Sequence, residues 1–157
     1  MSGKKPQILS GVPETYLAPL YWKAMESQRP DAMIKDEKAV ALVTQMMADV
    51  PIRYDFSRVR QIPMNELLKA MRIIFTREMD RYARDFLSRY PQAVVVHIGC
   101  GLDARFERVA EHDGQVEWYD LDLPDVIELR RKFIGDVGGP YHLLSCSVLE
   151  DAWLEAV

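Results

Sequence analysis

Apolar side chains recur at helical spacing through the first part of the chain. In residues 14–27, and again in residues 39–47, they return every three or four positions, as on one face of a helix. Arg29-Pro30-Asp31 separates the two segments, and Asp36 stands where the N-cap of the second helix would lie. The pattern therefore predicts two helices, the first over Glu14–Ser27.

A longer helical segment is predicted over Met64–Tyr90. Its apolar positions are rich in methionine and aromatic residues, a composition more typical of packing than of ligand binding. We therefore expect these side chains to be core and assign them no cofactor role. They are Leu67, Leu68, Met71, Ile74, Phe75, Met79, Tyr82, Phe86 and Leu87.

The pattern changes at Pro91. Ala93–Ile98 is a continuous apolar run, which is typical of a strand buried on both faces. Strand-like and helical segments then alternate, which predicts a right-handed parallel α/β arrangement. The later elements are a helix over Asp103–Glu111, a strand over Gln115–Tyr119, a helix over Pro124–Ile134 and a strand over Tyr141–Cys146.

This order predicts a helical region over residues 1–90 and the first half of a sheet domain over residues 91–157, within one continuous globular unit. A sheet of three strands leaves an unpaired edge. We therefore expect a fold truncated after its third strand. Such a chain is the front part of a longer protein or depends on a partner, and a homo-oligomer is one way to cover the edge.

Composition and charge narrow the class of protein. The chain has 157 residues, is 48% hydrophobic and 28% charged, and has a formal net charge of −4, so nothing indicates a nucleic-acid surface. It contains no apolar run long enough to cross a bilayer and begins without a secretory signal. Its two cysteines make neither a disulfide framework nor a metal site. We expect a cytoplasmic protein.

The stretch VVVHIGCGLDARFERV, residues 94–109, places two glycines between a predicted strand and a predicted helix. Gly99 and Gly101 would let the backbone turn sharply and let a ligand approach, at the carboxyl end of a strand where open α/β sheets bind ligands. Residues 99–104 also satisfy the loose G-x-G-x-x-G/A dinucleotide pattern, which alone is a weak signal.

The charge beside this turn argues against a dinucleotide. Asp103 falls at the start of the predicted helix, where its carboxylate would repel a pyrophosphate. S-adenosyl-L-methionine carries a cationic sulfonium and a cationic ammonium and no phosphate, so an acidic turn suits it.

A second acidic signal follows about 20 residues later, in VEWYDLDLPDV at residues 116–126. Asp120 and Asp122 stand near the end of the second strand, where a carboxylate can accept hydrogen bonds from both ribose hydroxyls. Alternatively, one acid caps the helix that begins near Pro124 and the other faces solvent. The residues alone leave open which acid binds ribose.

Two unusual residues have structural explanations. His97 is expected to be a hydrogen-bonded core residue, because no second ligand is spaced for a metal. Cys100 is explained by its small size at a tight turn, because no base is placed beside it.

The arginines are likewise expected to be structural. For Arg108 we favour an ion pair with Asp103 or Glu111, which would also explain Arg105. The basic run Arg130-Arg131-Lys132 is predicted to be a helix surface with favourable charge near its C-terminal end.

Together, GCGLDAR at residues 99–105 and YDLDLP at residues 119–124 resemble the leucine carboxyl methyltransferase family, including its branch of polyketide-type O-methyltransferases. The stretches GVPETYLAPLYWKAMES and KDEKAVALV resemble that family's N-terminal helical region, and family members are longer than this chain. The resemblance implies an α/β, class I methyltransferase fold, Rossmann-like, with S-adenosyl-L-methionine as cofactor.

By position, the resemblance implies that Gly99 and Gly101 line the methionine part of the cofactor and that Asp122 binds its ribose. Many members have an acid near the adenine where this chain has Ser147. A basic residue that holds the methionine carboxylate falls by ungapped spacing on Phe75, and Arg77 is the preferred substitute. The implied site is Arg77, Gly99, Cys100, Gly101, Asp103, Asp120, Asp122, Leu123, Ser147 and Val148, and Lys23 lies near a cofactor-contacting lysine of some members.

These features predict an S-adenosyl-L-methionine-dependent O-methyltransferase that acts on a carboxylate or hydroxyl of a small, polyketide-like acceptor. A carboxylate acceptor needs no base, whereas a hydroxyl acceptor does, and the sequence offers no convincing base, so the catalytic residues are unassigned. The alternatives are a nucleotide-dependent oxidoreductase and a non-catalytic cofactor-binding or interaction module.

Overall fold

The computed structural model describes residues 14–48, 60, 66–110, 116–135 and 138–157 of the chain. Its elements follow the predicted order of helices first and a strand–helix alternation afterwards. They are α1 (Glu14–Ser27), α2 (Glu37–Ala48), α3 (Glu66–Leu87), β1 (Val94–Ile98), α4 (Arg105–Val109), β2 (Glu117–Asp122), α5 (Pro124–Phe133), β3 (Tyr141–Ser145) and a final 3₁₀ helix (Asp151–Glu155).

The chain divides into two units, residues 1–77 and residues 78–157, and the division falls inside α3. The sequence instead predicted a change of region at residue 91. The last turns of α3 belong to the second unit because Leu87 joins the buried cluster that contains Phe106, Trp118 and Tyr141.

In the first unit, Asp36 fixes the start of α2, as the sequence predicted. Its Oδ1 accepts a hydrogen bond of 2.8 Å from the backbone N–H of Ala39, which satisfies an amide that the helix itself leaves unpaired. Its Oδ2 lies 3.1 Å from Nζ of Lys23 on α1, and both side chains are buried. One carboxylate therefore caps α2 and ties it to α1.

The expectation that the apolar stripe of α3 is core is wrong for this structure. Of the nine predicted side chains only Leu87 is buried, and Leu67, Phe75 and Tyr82 are 67%, 63% and 60% exposed. The buried positions of this helix are Ile73, Asp80 and Leu87, seven residues apart, which is one narrow stripe. The helical period was read correctly, but the protein buries a different face.

The sheet is parallel, with the strand order β1-β2-β3, so β2 is central and β1 and β3 are edges. Its register pairs His97 with Asp120 and Asp122 with Ser145. All three strands therefore end at the same side of the sheet, where the predicted ligand residues follow them.

Two strand predictions are corrected. The first strand, β1, is not buried on both faces, since Val94 is 49% and Ile98 51% exposed at this edge of the sheet. The second strand, β2, ends at Asp122 rather than at Tyr119. The alternation of Asp120, Leu121 and Asp122 reads as a polar loop, yet all three side chains are buried.

The core of the second unit is aromatic. The ring of Phe106 on α4 lies 5.7 Å from that of Trp118 and 4.9 Å from that of Tyr141, measured between centroids. These contacts pack α4 against the sheet and thereby fix the segment that precedes it. Within the described ranges, no helix is long and apolar enough to cross a membrane.

Replacing this central ring should destabilise the protein. We expect Phe106→Ala, at a site 5% exposed, to lower the free energy of unfolding by about 3–5 kcal/mol, because it removes buried contacts and leaves a cavity. The same substitution at Phe75, 63% exposed, should change it by less than about 0.5 kcal/mol. Urea unfolding followed by tryptophan fluorescence measures both, and equal losses would contradict the assignment of the core.

Candidate functional site

The turn after β1, residues 99–101 and here called the glycine turn, depends on left-handed backbone conformations. Gly99 has φ +67° and Gly101 has φ +51°, values that other residues adopt only at a cost. The N–H groups of Gly99 and Cys100 both donate to the carbonyl of Leu121, over 2.8 and 3.3 Å. A Cβ added at Gly99 would meet no atom within 4 Å, so this position has open space beside it.

Asp122, the last residue of β2, faces this turn with a buried carboxylate. Its Oδ2 accepts a hydrogen bond of 2.8 Å from the N–H of Gly101, and its Oδ1 accepts one of 2.8 Å from the N–H of Leu123. Among the described residues no cationic side chain lies within ion-pair distance of it. A carboxylate has about four acceptor positions, so Asp122 can still accept hydrogen bonds from a ligand.

Asp120, the other acid predicted as a ribose ligand, is occupied within the protein. Its side chain is fully buried and contacts His97 Nδ1 at 2.9 Å, Trp118 Nε1 at 2.9 Å, the Tyr141 hydroxyl at 2.6 Å and the Arg130 guanidinium. Burial alone would raise the pKa of Asp120, but the hydrogen bond from His97 and the charge of Arg130 outweigh it and hold the pKa below its usual value. We therefore take only Asp122 forward as the ribose acid.

The prediction that Arg130 lies on a helix surface is wrong. Arg131 and Lys132 are exposed, but Arg130 belongs to the buried face of α5. Besides Asp120, its guanidinium donates to the hydroxyl of Tyr141 and to the carbonyl of Gly101, each over 2.9 Å. The sequence did not indicate this burial, because Arg130 belongs to a run of basic residues and its partners are distant along the chain.

Asp103, two residues after the glycine turn, is neutralised by two arginines. Arg108 Nη1 lies 2.7 Å and Arg105 Nη2 3.3 Å from its carboxylate. Both arginines also bind Asp80 on α3, which is 2% exposed. The predicted pairing of Arg108 with Asp103 is confirmed, and Glu111 lies outside the described residues.

This ion-pair cluster changes the argument about the ligand. Because two guanidinium groups neutralise Asp103, repulsion of a pyrophosphate by that acid loses force. What disfavours a pyrophosphate is the helix after the turn, since α4 has only five residues. A helix this short supplies little of the dipole that a phosphate needs.

The remaining predicted residues of the second unit lie after β2 and β3. Leu123 and Val148 are 47% and 41% exposed. The hydroxyl of Ser147 accepts a hydrogen bond of 3.2 Å from the N–H of Leu149. The N–H of Cys146 donates over 3.1 Å to the carbonyl of Asp122, which ties the ends of β2 and β3 together.

Two predicted basic residues belong to the first unit. Arg77 is exposed on α3, and Lys23 is buried beside Asp36. The contact of Arg77 with the methionine carboxylate, and a contact of Lys23 with the cofactor, stay predictions from the resemblance.

The first unit also contains an open cavity of about 470 Å³, lined in part by Tyr21, Trp22, Glu26 and Arg60. Nε of Arg60 donates to the hydroxyl of Tyr21 over 2.7 Å, and Glu26 accepts a hydrogen bond of 2.7 Å from the N–H of Met33. Because these polar groups already have partners, we assign no ligand to the cavity.

Sequence reasoning missed Asp80 and Tyr141 altogether. The available signal for Asp80 was its spacing, seven residues from both Ile73 and Leu87, which marks an acid on the buried stripe of α3. Tyr141 gave no signal beyond being the first residue of a strand.

Comparison with known proteins identifies the family of this chain. Residues 17–151 match the family described as leucine carboxyl methyltransferase. The chain is 40% identical over 151 residues to the tetracenomycin polyketide synthesis O-methyltransferase TcmP of Streptomyces glaucescens, covering 95% of this chain and 51% of that protein. It is 29% identical over 153 residues to the S-adenosyl-L-methionine-dependent methyltransferase dpfgK of Gibberella zeae, covering 93% and 50%. The chain thus spans about half the length of these curated relatives.

The two cysteines should differ in reactivity. Cys100 is 2% exposed, and burial raises the pKa of its thiol, an effect that the charge of Arg130 only partly offsets. We expect a disulfide reagent at pH 8 to modify Cys146 readily and Cys100 only when the protein opens, because the thiolate is the reacting species. In Cys146→Ser the fast phase should disappear, whereas two fast thiols in the wild type would contradict this picture of the turn.

Proposed function

Because the chain belongs to the leucine carboxyl methyltransferase family, which residues 17–151 match, we propose that it binds S-adenosyl-L-methionine at the glycine turn and Asp122 as part of an O-methyltransferase. The observation that carries the proposal is the carboxylate of Asp122, held against a glycine turn at the carboxyl edge of a parallel sheet. There it can accept hydrogen bonds from both ribose hydroxyls.

The acceptor carboxylate and the open space of the site fit this cofactor. Asp122 is buried, accepts hydrogen bonds only from backbone N–H groups among the residues that the structure describes, and keeps further acceptor capacity. The turn has open space beside Gly99, which allows close approach of a ligand to the backbone. A cofactor without a phosphate also suits the short helix α4, whose N-terminus would bind an anion only weakly.

When bound, S-adenosyl-L-methionine supplies a methyl group on a cationic sulfur that is already an activated leaving group. The part of the chain described here contributes to the reaction by holding and orienting the cofactor, and alignment of reactants is worth about 7–11 kcal/mol at its extreme. If the acceptor is a carboxylate, no base is required. If it is a hydroxyl, a general base is required, and we assign none.

The acceptor that we propose is a small, polyketide-like molecule. The support is the name of TcmP, an O-methyltransferase of tetracenomycin polyketide synthesis, together with its 40% identity to this chain. A net charge of −4 gives no reason to propose a nucleic-acid substrate. We further propose a cytoplasmic location and, from the exposed edge at β1, self-association.

Equilibrium binding of S-adenosylhomocysteine and of NAD, measured by calorimetry, tests the cofactor. We expect S-adenosylhomocysteine to bind with micromolar affinity, which corresponds to a binding free energy of about −8 kcal/mol, and we expect NAD not to bind. Binding of NAD with similar affinity would favour an oxidoreductase. Binding of the homocysteine compound without methyl transfer to phenolic or aromatic carboxylic acids would favour the non-catalytic module.

Asp122→Asn should weaken the binding of S-adenosylhomocysteine at least about tenfold, because hydrogen bonds to a charged group contribute about 1.5–3 kcal/mol. The matched control is Asp125→Asn, which removes the same charge from an exposed position three residues away, in the first turn of α5. The control should bind as the wild type does. Circular dichroism confirms that both variants are folded, and equal affinity of the two variants would remove Asp122 from the site.

A further inference from the structure

We propose that Arg130 is a positioning residue for the cofactor. Its guanidinium holds the carbonyl of Gly101, and this contact keeps the glycine turn in the conformation that presents Gly101 to Asp122. The inference rests on the proposed function, since it concerns the same cofactor site.

Both backbone polar groups of Gly101, its N–H and its carbonyl, form hydrogen bonds to buried side chains. Its N–H donates to Oδ2 of Asp122 over 2.8 Å, and its carbonyl accepts from Nη1 of Arg130 over 2.9 Å. The residue is buried, has φ at +51° and carries no side chain that could fix the turn. These two hydrogen bonds therefore determine how Gly101 is oriented beside the carboxylate.

The guanidinium is itself fixed by a buried frame. Arg130 is 1% exposed, and besides the turn it binds the carboxylate of Asp120 and the hydroxyl of Tyr141. Tyr141 in turn donates to Asp120 over 2.6 Å, so the three side chains form a closed set of contacts. Arg130 thus reaches the turn from a rigid position.

The three contacts need the shape of an arginine. Separate nitrogens bind Tyr141, Gly101 and Asp120, which uses the planar fork of the guanidinium in three directions. A lysine keeps the charge next to Asp120 but has one nitrogen, so it cannot hold the same geometry at Gly101. Charge and positioning can therefore be separated by substitution.

The frame also offers a control that leaves the turn alone. The hydroxyl of Tyr141 bonds to Arg130 and Asp120, whereas the polar groups of Gly101 bond to Arg130 and Asp122. Tyr141→Phe therefore removes one of the two contacts that fix Arg130 and leaves its ion pair with Asp120 and its hydrogen bond to Gly101. A purely structural role of Arg130 predicts that both substitutions reduce cofactor binding in proportion to their loss of stability.

The experiment compares Arg130→Lys with Tyr141→Phe. We expect both variants to lose thermal stability, but only Arg130→Lys to weaken S-adenosylhomocysteine binding at least about tenfold, with Tyr141→Phe within about threefold of the wild type. Calorimetry well below either melting temperature measures the affinity. Amide NMR shifts of Gly101 and Gly99 should move in Arg130→Lys and stay near their wild-type values in Tyr141→Phe.

The outcomes separate the inference from the function on which it rests. A wild type that does not bind S-adenosylhomocysteine overturns the proposed function. If the wild type binds S-adenosylhomocysteine and Arg130→Lys binds it equally well, only the positioning role is overturned. Equal losses of affinity in Arg130→Lys and Tyr141→Phe would also overturn it.

If Arg130→Lys does not fold, Arg130→Met in the background of Asp120→Asn removes both buried charges. Failure of that variant to fold would make Arg130 a stability residue only.

Discussion

The buried charge of Asp120 is the constraint on which the second unit depends. An isolated carboxylate in a protein interior costs several kcal/mol, so the fold has to surround it with donors. They come from His97 on β1, Tyr141 on β3 and Arg130 on α5. Because these partners belong to three different elements, compensation of one charge fixes the two edge strands and the helix relative to the central strand.

The residues of the proposed cofactor site are positioned by that arrangement. Asp122 lies two residues beyond Asp120 on the same strand, and Arg130 connects the buried frame to the glycine turn through Gly101. The turn is also bonded to the carbonyl of Leu121. The position of the acid that we propose for the ribose is thus set by contacts within the protein.

The sequence predicted most of the elements, and it also indicated a candidate site after β1 and β2, because both inferences depend on local patterns. Strand, glycine turn and helix follow one another along the chain, and the distance after the turn indicated Asp120 and Asp122 together, of which the family resemblance singled out Asp122. The face of α3 could not be predicted in this way, since the buried stripe contains Asp80, whose burial depends on tertiary ion pairs with Arg105 and Arg108. Arg130 was misread for the same reason. Its partner Asp120 lies ten residues away on another element, and a run of basic residues is usually solvated.

The ion-pair cluster of Asp80, Asp103, Arg105 and Arg108 has a consequence for the conditions under which the turn keeps its shape. Its charges sum to zero, and the four side chains are only 3%, 21%, 16% and 8% exposed. Dissolved ions screen exposed charges over about 8 Å at physiological ionic strength but reach buried pairs far less. The ion pairs that anchor Asp103, Arg105 and Arg108 to α3 are therefore largely insensitive to salt, and they persist over a wide range of ionic strength.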